Sequence, residues 1–440
     1  MDWQREFKKK LVNPEEAVNV VKSDDRVVIA TPEPKDLCLA LVARTGDISN
    51  VRIFNPGPGL DLPWYGPGWE DSFAITSGYS LPLVRDAIEK KLCDYAVGTI
   101  FWTQAAWEEE DIDVLMVGLS TPDRHGYCSF GSSIWHKKDM IEKAKVVLAE
   151  ADPNLIRTFG ENYVHLSQVD YFVEHTSSGA VPGSRDLLGR KSFSGPSKTD
   201  EVIVNNIGSV IRDGDTIQIG VGAVTEYLSQ SSIIREKNDL GFHSEAIPRG
   251  TVTLAMDGII NGKYKTLHRD KVVVTMGGGG TKEEMDFMQM NPMFELYRGR
   301  YVTDPCVISR HDNMVAINSA ISIDLTGQIA AESIGHRMIS GTGGQQAFAI
   351  GANLSKGGRS VTALPSTAQN GRVSRIVPSL KPGTAVTVTR NLADVIVTEY
   401  GLARLRGKTQ RGRAEALIAI AHPDFRDELS QAARKLFWPE

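Results

Sequence analysis

Short continuous runs of apolar, β-branched residues alternate with amphipathic stretches along the whole chain. The runs at 26–30 (RVVIA), 114–118 (VLMVG), 145–148 (KVVL), 271–276 (KVVVTM) and 394–398 (DVIVT) lack the regular apolar–polar alternation of a half-exposed strand. Strands buried on both faces read this way. The stretches 82–92, 137–144 and 412–421 carry helical spacing, and 200–212 reads as a further helix ending at Asp213-Gly214-Asp215. Alternating strands and helices predict the α/β class, with parallel-rich open sheets flanked by helices.

One pattern occurs twice. Residues 114–132 (VLMVGLSTPDRHGYCSFGS) and 314–333 (MVAINSAISIDLTGQIAAES) each read as an apolar strand, an Asp-x-x-Gly turn and a second strand. The turns run from Asp123 to Gly126 and from Asp324 to Gly327. An acceptor side chain at the turn start and a glycine where φ is positive are ordinary turn chemistry. Two copies about 200 residues apart predict two related α/β halves, a chance match of two hairpins being the competing explanation. The stretch 177–199 (SSGAVPGSRDLLGRKSFSGPSKT) is rich in Gly, Ser and Pro, so it is the natural linker. It divides the chain into halves at 1–185 and 186–440.

Composition narrows the function. The 440 residues include 41% hydrophobic and 23% charged side chains, with 49 basic against 54 acidic and a net charge of −5. That balance excludes a disordered or collagenous chain. Mild acidity without a basic block argues against nucleic acid as the main partner. No apolar run approaches the ~18 residues of a membrane helix. The N-terminal MDWQREFKKK lacks the apolar segment of a secretory signal. Cys38, Cys93, Cys128 and Cys306 form no CxxC, which favours a reducing cytoplasm over a zinc ribbon or disulfide scaffold.

Candidate chemistry concentrates in glycine-rich turns. In TIQIGVGAVTEYL, a strand leads through Gly220-x-Gly222 into a helix, which lets a ligand approach the backbone and offers N–H groups to an anion. Thr225 stands where a dinucleotide fingerprint has its third glycine, so a Rossmann assignment is weak and a plain tight turn competes. The run MGGGGT at 276–281 lacks a P-loop ending. In SGTGGQQAFAIGA, Gly343 and Gly344 present adjacent amides, either as an oxyanion site or as a simple loop. His243, Ser244 and Glu245 lie together in LGFHSEAIPRG. Neighbours on a strand point to opposite faces, so His243 and Ser244 do not make a nucleophile–base pair. Glu245 is a candidate carboxylate nucleophile, against the ordinary reading of a solvated glutamate. No histidine pair has the spacing of a helical metal site, and His422, before Pro423, fits a helix end. Five tryptophans, Trp64, Trp69, Trp102, Trp107 and Trp135, cluster in the first half, where 57–69 (GPGLDLPWYGPGW) reads as an aromatic loop beside a pocket or as core.

At these residues the sequence resembles the acetyl-CoA hydrolase/transferase family, which includes the 4-hydroxybutyrate and butyrate:acetate CoA-transferases. The resemblance spans nearly the whole chain. It rests on STPDRHGYCSFG and residues 144–150 (AKVVLAE) in the first half and on DGDTIQIGVGAV, LGFHSE, AINSAISIDLTGQ, SGTGGQ, GGRSVTALPSTA, SRIVP, VTEYGLARLRGK and IAHPDFRDEL in the second. It implies two open α/β domains with the active site between them, Glu245 as catalytic nucleophile and a ping-pong transfer through a glutamyl-CoA thioester. The family's CoA-binding turn matches Gly220, Val221, Gly222, Ala223 and Val224. Its glycine loop matches Gly343, Gly344 and Gln345, with Gly344 at the CoA contact, and the stretch from Asn318 to Ile321 matches a further segment lining the CoA site. No metal and no tightly bound cofactor are implied, since coenzyme A enters as the acyl-CoA substrate. The partners expected are acyl-CoA and carboxylate substrates and further copies of the chain in a homodimer or higher homo-oligomer, with neither nucleic acid nor membrane.

The sequence departs from the commoner family pattern at two places. After His-Ser-Glu it reads Ala246-Ile247-Pro248-Arg249-Gly250, and after the glycines Gln345-Gln346-Ala347-Phe348. Two acidic positions are lost and one arginine is gained. The charge change points to an acceptor with a second carboxylate, such as succinate or itaconate, held by Arg249 through a charge-assisted bond with Gln345 beside it. The competing reading has Arg249 replace a structural Asp and point away. Three other functions compete: an acyl-CoA hydrolase using the same glutamate, a CoA-binding sensor, and a serine hydrolase that the strand geometry disfavours.

Overall fold

The structure is a computed structural model that describes residues 2–98, 111–176, 195–277 and 280–439. Most of the 177–199 stretch lies outside the described residues, as do Trp102, Trp107, Gly278 and Gly279. The chain forms two compact units, one of Met1–Ser184 with Thr275–Tyr301, the other of Arg185–Val274 with Val302–Glu440.

The first unit holds the strands Arg26–Ile29 (β1), Val51–Asn55 (β2), Phe73–Ser77 (β3), Cys93–Tyr95 (β4), Ile112–Leu119 (β5), Tyr127–Ser129 (β6), Ala144–Ala151 (β7) and Tyr171–Glu174 (β8). Its 7-stranded sheet has the order β8-β7-β5-β1-β2-β3-β4, parallel throughout. The helices Lys35–Val42 (α1) and Lys137–Lys143 (α2) belong to the same unit. Every residue of β1 is buried, which explains why its sequence shows no alternation. The core gathers Val27, Ile29, Leu37, Leu41, Ile53, Met116 and Leu148. Trp64 joins it at 2% exposure, so this tryptophan is packing and not pocket lining.

The second unit holds Lys198–Gly208 (α3), Thr216–Ile219 (β9), Ala223–Leu228 (α4), Gly241–Ile247 (β10) and the first residues of Val272–Gly277 (β11). It continues with Met314–Ser319 (β12), Ser322–Asp324 (β13), Ile329–Ala330 (β14), Ser333–Ile334 (β15), Arg337–Met338 (β16), Gln345–Leu354 (α5), Arg359–Ala363 (β17), Val395–Thr398 (β18), Gly401–Arg404 (β19), Gln410–Ala419 (α6) and Pro423–Phe437 (α7). Within a 9-stranded sheet its strands take the order β19-β18-β17-β12-β9-β10-β11. Pairing is parallel from β18 to β10, and β19 is antiparallel.

The two sheets share one plan. In each, the earlier strands (β1 to β4, and β9 to β11) follow one another in one direction, and the later ones build from the other side of the first. The order reverses between β1 and β5 and between β9 and β12. The Asp-x-x-Gly turns share the same pattern of backbone amides on the aspartate. Asp123 Oδ1 accepts the amides of His125 and Tyr127, and Asp324 Oδ1 those of Thr326 and Gln328. Gly126 and Gly327 close them at φ 84° and 98°. One difference is that Asp324 ends a separate short strand, β13, whereas no strand separates β5 from the first turn.

Helix ends follow local chemistry. Ser197 and Asp200 form a reciprocal capping box at α3, and His422 Nδ1 accepts the Asp424 amide at the start of α7. The helix expected over 82–92 shrinks to Arg85–Glu89, because the amides of Val84 and Arg85 both turn back to Leu81 O and Lys91 adopts φ 63°. No helix among the described residues is long and apolar enough to cross a membrane.

Candidate active site

In open parallel sheets, ligands gather beyond the carboxyl ends of strands where the order reverses. In the second unit that point lies between β9 and β12. β9 is fully buried yet contains Gln218, whose amide exchanges two hydrogen bonds of 3.0 Å with the amide of Asn318 on β12. Just past β9, the Gly220 amide donates to Ile317 O at 2.8 Å. A Cβ at Gly220 would stand 2.3 Å from Asn318 Oδ1, so close approach demands glycine there. Gly222 then starts α4, its carbonyl taking the Thr225 hydroxyl at 3.1 Å and the Glu226 amide at 2.8 Å. Thr225 thus occupies the missing-glycine position for a reason: its hydroxyl caps the turn. Val221 lies in this turn, Ala223 opens α4, and Val224 is buried. Ser319 Oγ is buried close to Gly222 and has no hydrogen-bond partner among the described residues. Ile321, half-buried, donates its amide to Ala330 O.

β10, on the other side of β9, carries Glu245. Its Oε2 accepts the Gly344 amide at 2.7 Å, across 99 residues of sequence. Burial pushes the Glu245 carboxyl up to about 7, against the opposing effect of that single amide bond. Gly343 sits at φ 57°, in the left-handed region. Gly344 has an ordinary φ of −88°, but a Cβ there would stand 2.5 Å from Glu245 Oε2. The arrangement can hold a carboxylate nucleophile whose ionisation is poised near neutrality, with a backbone donor in place for developing negative charge.

His243 and Ser244 do not cooperate. His243 Nε2 faces Val302 O at 2.9 Å, while the Ser244 hydroxyl points to Ile219 O at 3.4 Å. His243 packs against His311 at 4.5 Å between centroids, and burial holds both imidazoles well down, hence neutral. Gln345 opens α5 next to Gly344, with Nε2 buried and without a hydrogen-bond partner among the described residues. Arg249 follows β10 in a turn against the end of α4, its carbonyl accepting the Ser229 hydroxyl at 2.7 Å.

The sequence reading did not single out Gln218, Thr342 or Glu332. A polar residue inside an otherwise apolar buried run, such as Gln218 in TIQI, is the signal that marks the first. In the first unit, Asp36, Glu150 and His175 bring ligand atoms within 4.8 Å of one another. There Glu150 Oε2 already takes the amides of Asp36 and Leu37 at the start of α1, and Oε1 meets His175 Nδ1 at 2.5 Å. Those contacts make a helix-end tie.

Residues 1–181 match the acetyl-CoA hydrolase/transferase N-terminal domain, and residues 280–433 the corresponding C-terminal domain. The chain is similar to the 4-hydroxybutyrate coenzyme A transferase of Clostridium kluyveri, with 42% identity over 99% of this chain and 100% of that one. It is also similar to the succinyl-CoA:cyclohexane-1-carboxylate CoA transferase of Geobacter metallireducens, at 34% identity over 99% and 97%. Among solved structures it is similar to RipA from Yersinia pestis, with a TM-score of 0.89, 32% identity and 99% of each chain covered.

Proposed function

The chain belongs to the acetyl-CoA hydrolase/transferase family, and on that premise we propose that it moves CoA from an acyl-CoA to a free carboxylic acid through a thioester on Glu245. The observation that carries this reading is the Gly344 amide held 2.7 Å from a carboxylate that burial has brought to about 7.

The chemistry balances without ATP. A Glu245 oxygen attacks the acyl carbonyl, the C–S bond breaks and CoA leaves as its thiolate. The thiolate attacks the glutamyl carbonyl of the resulting anhydride, whose C–O bond breaks to release the first acid as a carboxylate. Glu245 is now a CoA thioester. A second carboxylate repeats the two steps in reverse and departs as the new acyl-CoA, restoring Glu245. The Gly344 amide stabilises the tetrahedral oxyanions. The turn from Gly220 to Val224, together with Ile321 and Gly343, holds CoA in this reading, and contacts remote from the thioester lower the barriers of the reacting steps.

Arg249 and Gln345 select the acceptor in this reading, with Arg249 binding the far carboxylate of a dicarboxylic acid such as succinate. The name of the Geobacter relative, which includes succinyl-CoA, is consistent with that choice. Arg249→Met is expected to lower kcat/KM for succinate by about tenfold or more, the weight of a charge-assisted bond, and to leave butyrate unchanged. Equal losses for both acids defeat this assignment. The working form is a cytoplasmic homo-oligomer, which light scattering on the purified protein measures.

Intact mass after incubation with acyl-CoAs tests the core of the reading. Wild type gains a CoA-sized adduct, Glu245→Ala gains none, and an added carboxylic acid discharges it. Because the nucleophile is the ionised form, the rate of adduct formation falls as pH drops through about 7. Discharge by water alone, with no new CoA ester when an acid is supplied, favours the hydrolase activity that the family name also includes.

A further inference from the structure

The Gly344 amide can stand over Glu245 only if the chain leading to it is held. That chain is poor in constraints, since three of the four residues from Gly341 to Gly344 are glycine. Glu332 lies at the base of the β15–β16 hairpin that delivers it. The Glu332 carbonyl accepts the returning amides of Ile339 at 2.7 Å and Ser340 at 3.1 Å. The buried Glu332 side chain then accepts the Thr342 hydroxyl on Oε2 at 2.6 Å. Among the described residues, this is the one hydrogen bond made by residues 341–343.

We propose that Glu332 is a positioning residue of the transfer site, acting through Thr342 to set where the Gly344 amide meets Glu245. The inference rests on the reading of Glu245 as the nucleophile. Its physical basis is division of labour within one residue. The main-chain carbonyl closes the hairpin, and that closure survives substitution. The carboxylate adds a charge-assisted O–H···O bond, short and directional, two residues before the catalytic amide. Loss of the side chain therefore leaves the hairpin but frees the glycine turn.

Glu245 is a suitable reporter because few groups influence its ionisation. Burial and the Gly344 amide are the causes of its shift, with no charged side chain contributing among the described residues. His243, on the same face of β10, and His311 against it are kept neutral. On the neighbouring elements, Gln218, Asn318 and Gln345 carry no charge.

The test uses full-length Glu332→Ala, Glu332→Gln, Thr342→Val and the Glu332→Ala/Thr342→Val pair. The ionisation midpoint of Glu245 is read from the infrared band of its protonated carboxyl, identified as the band that Glu245→Gln removes. Glu332→Ala and Thr342→Val are each expected to raise that midpoint by about one unit, as weakening a hydrogen bond to the carboxylate requires. They are also expected to lower kcat by about tenfold with the acyl-CoA KM within about twofold of wild type. Glu332→Gln keeps an acceptor oxygen and stays near wild type, and the double variant is no worse than either single. An unmoved midpoint in Glu332→Ala, or a Glu332→Gln as impaired as alanine, overturns the proposal. Absence of a CoA adduct on wild type defeats the Glu245 reading instead, and the infrared midpoint still decides whether the clamp exists.

Discussion

Glu245 carries two opposed influences. Its surroundings disfavour charge, and one amide favours it, which leaves the carboxyl near 7 where both protonation states are populated. That balance depends on a glycine whose backbone angles any residue could adopt. At Gly344 the requirement is proximity, because a methyl group would meet Glu245 Oε2 at 2.5 Å and the Phe348 ring at 3.3 Å. Gly344→Ala is accordingly expected to fold and melt much as wild type while losing about a hundredfold in kcat, the scale seen when one oxyanion donor is displaced. Steady-state kinetics beside a thermal melt check it, and an unchanged kcat would place the donor elsewhere. The family motif proposes Glu245 as the nucleophile from sequence, but not its poise, since burial of a carboxyl is set by what packs over it.

Among the elements, the β9–turn–α4 unit depends on what lies next to it. The Gly220 turn is fitted against Asn318 on β12, and Asn318 is fixed by Gln218 on β9. An added methyl at Gly220 must displace the amide pair and unsettle two buried polar groups at once. Gly220→Ala is expected to raise the acyl-CoA KM about tenfold and to destabilise by about 1–3 kcal/mol, typical of overpacking. Urea unfolding and isothermal binding of CoA measure the two effects. The periodicity of TIQIGVG placed strand, turn and helix correctly. It carried no information on the facing strand, because apolar runs specify burial and not partners.

Each unit builds its strands outward on both sides of the first, yet the chain does not divide into two consecutive segments. Thr275–Tyr301 joins the first unit. Thr275 O accepts the amides of Ile134 and Trp135, and Gly299 N donates to Trp135 O. Arg298 bonds to Asp139 at 2.6 Å, Glu142 at 2.7 Å and Glu161 at 3.1 Å. A fragment of residues 1–185 loses all of these and leaves buried amides unsatisfied, each costing about 1–3 kcal/mol. It is expected to lack the cooperative melt of the full chain, as calorimetry would show. A sharp transition in the isolated fragment would mean that the returning segment is dispensable.

What could be read along the chain were features encoded by neighbours: buried strands from continuous apolar runs, Asp-x-x-Gly turns from their own side-chain acceptors, the His422 helix end, and the family motifs around Glu245 and the glycine turns. Features that join distant positions could not be read this way. The Gly344 amide on Glu245, the Gln218–Asn318 pair, the Thr342–Glu332 clamp and the return of Thr275–Tyr301 each depend on which strands lie side by side. Pattern along a strand reports whether a face is covered; only packing of the folded sheet settles what covers it, and the chemistry here lies in those coverings.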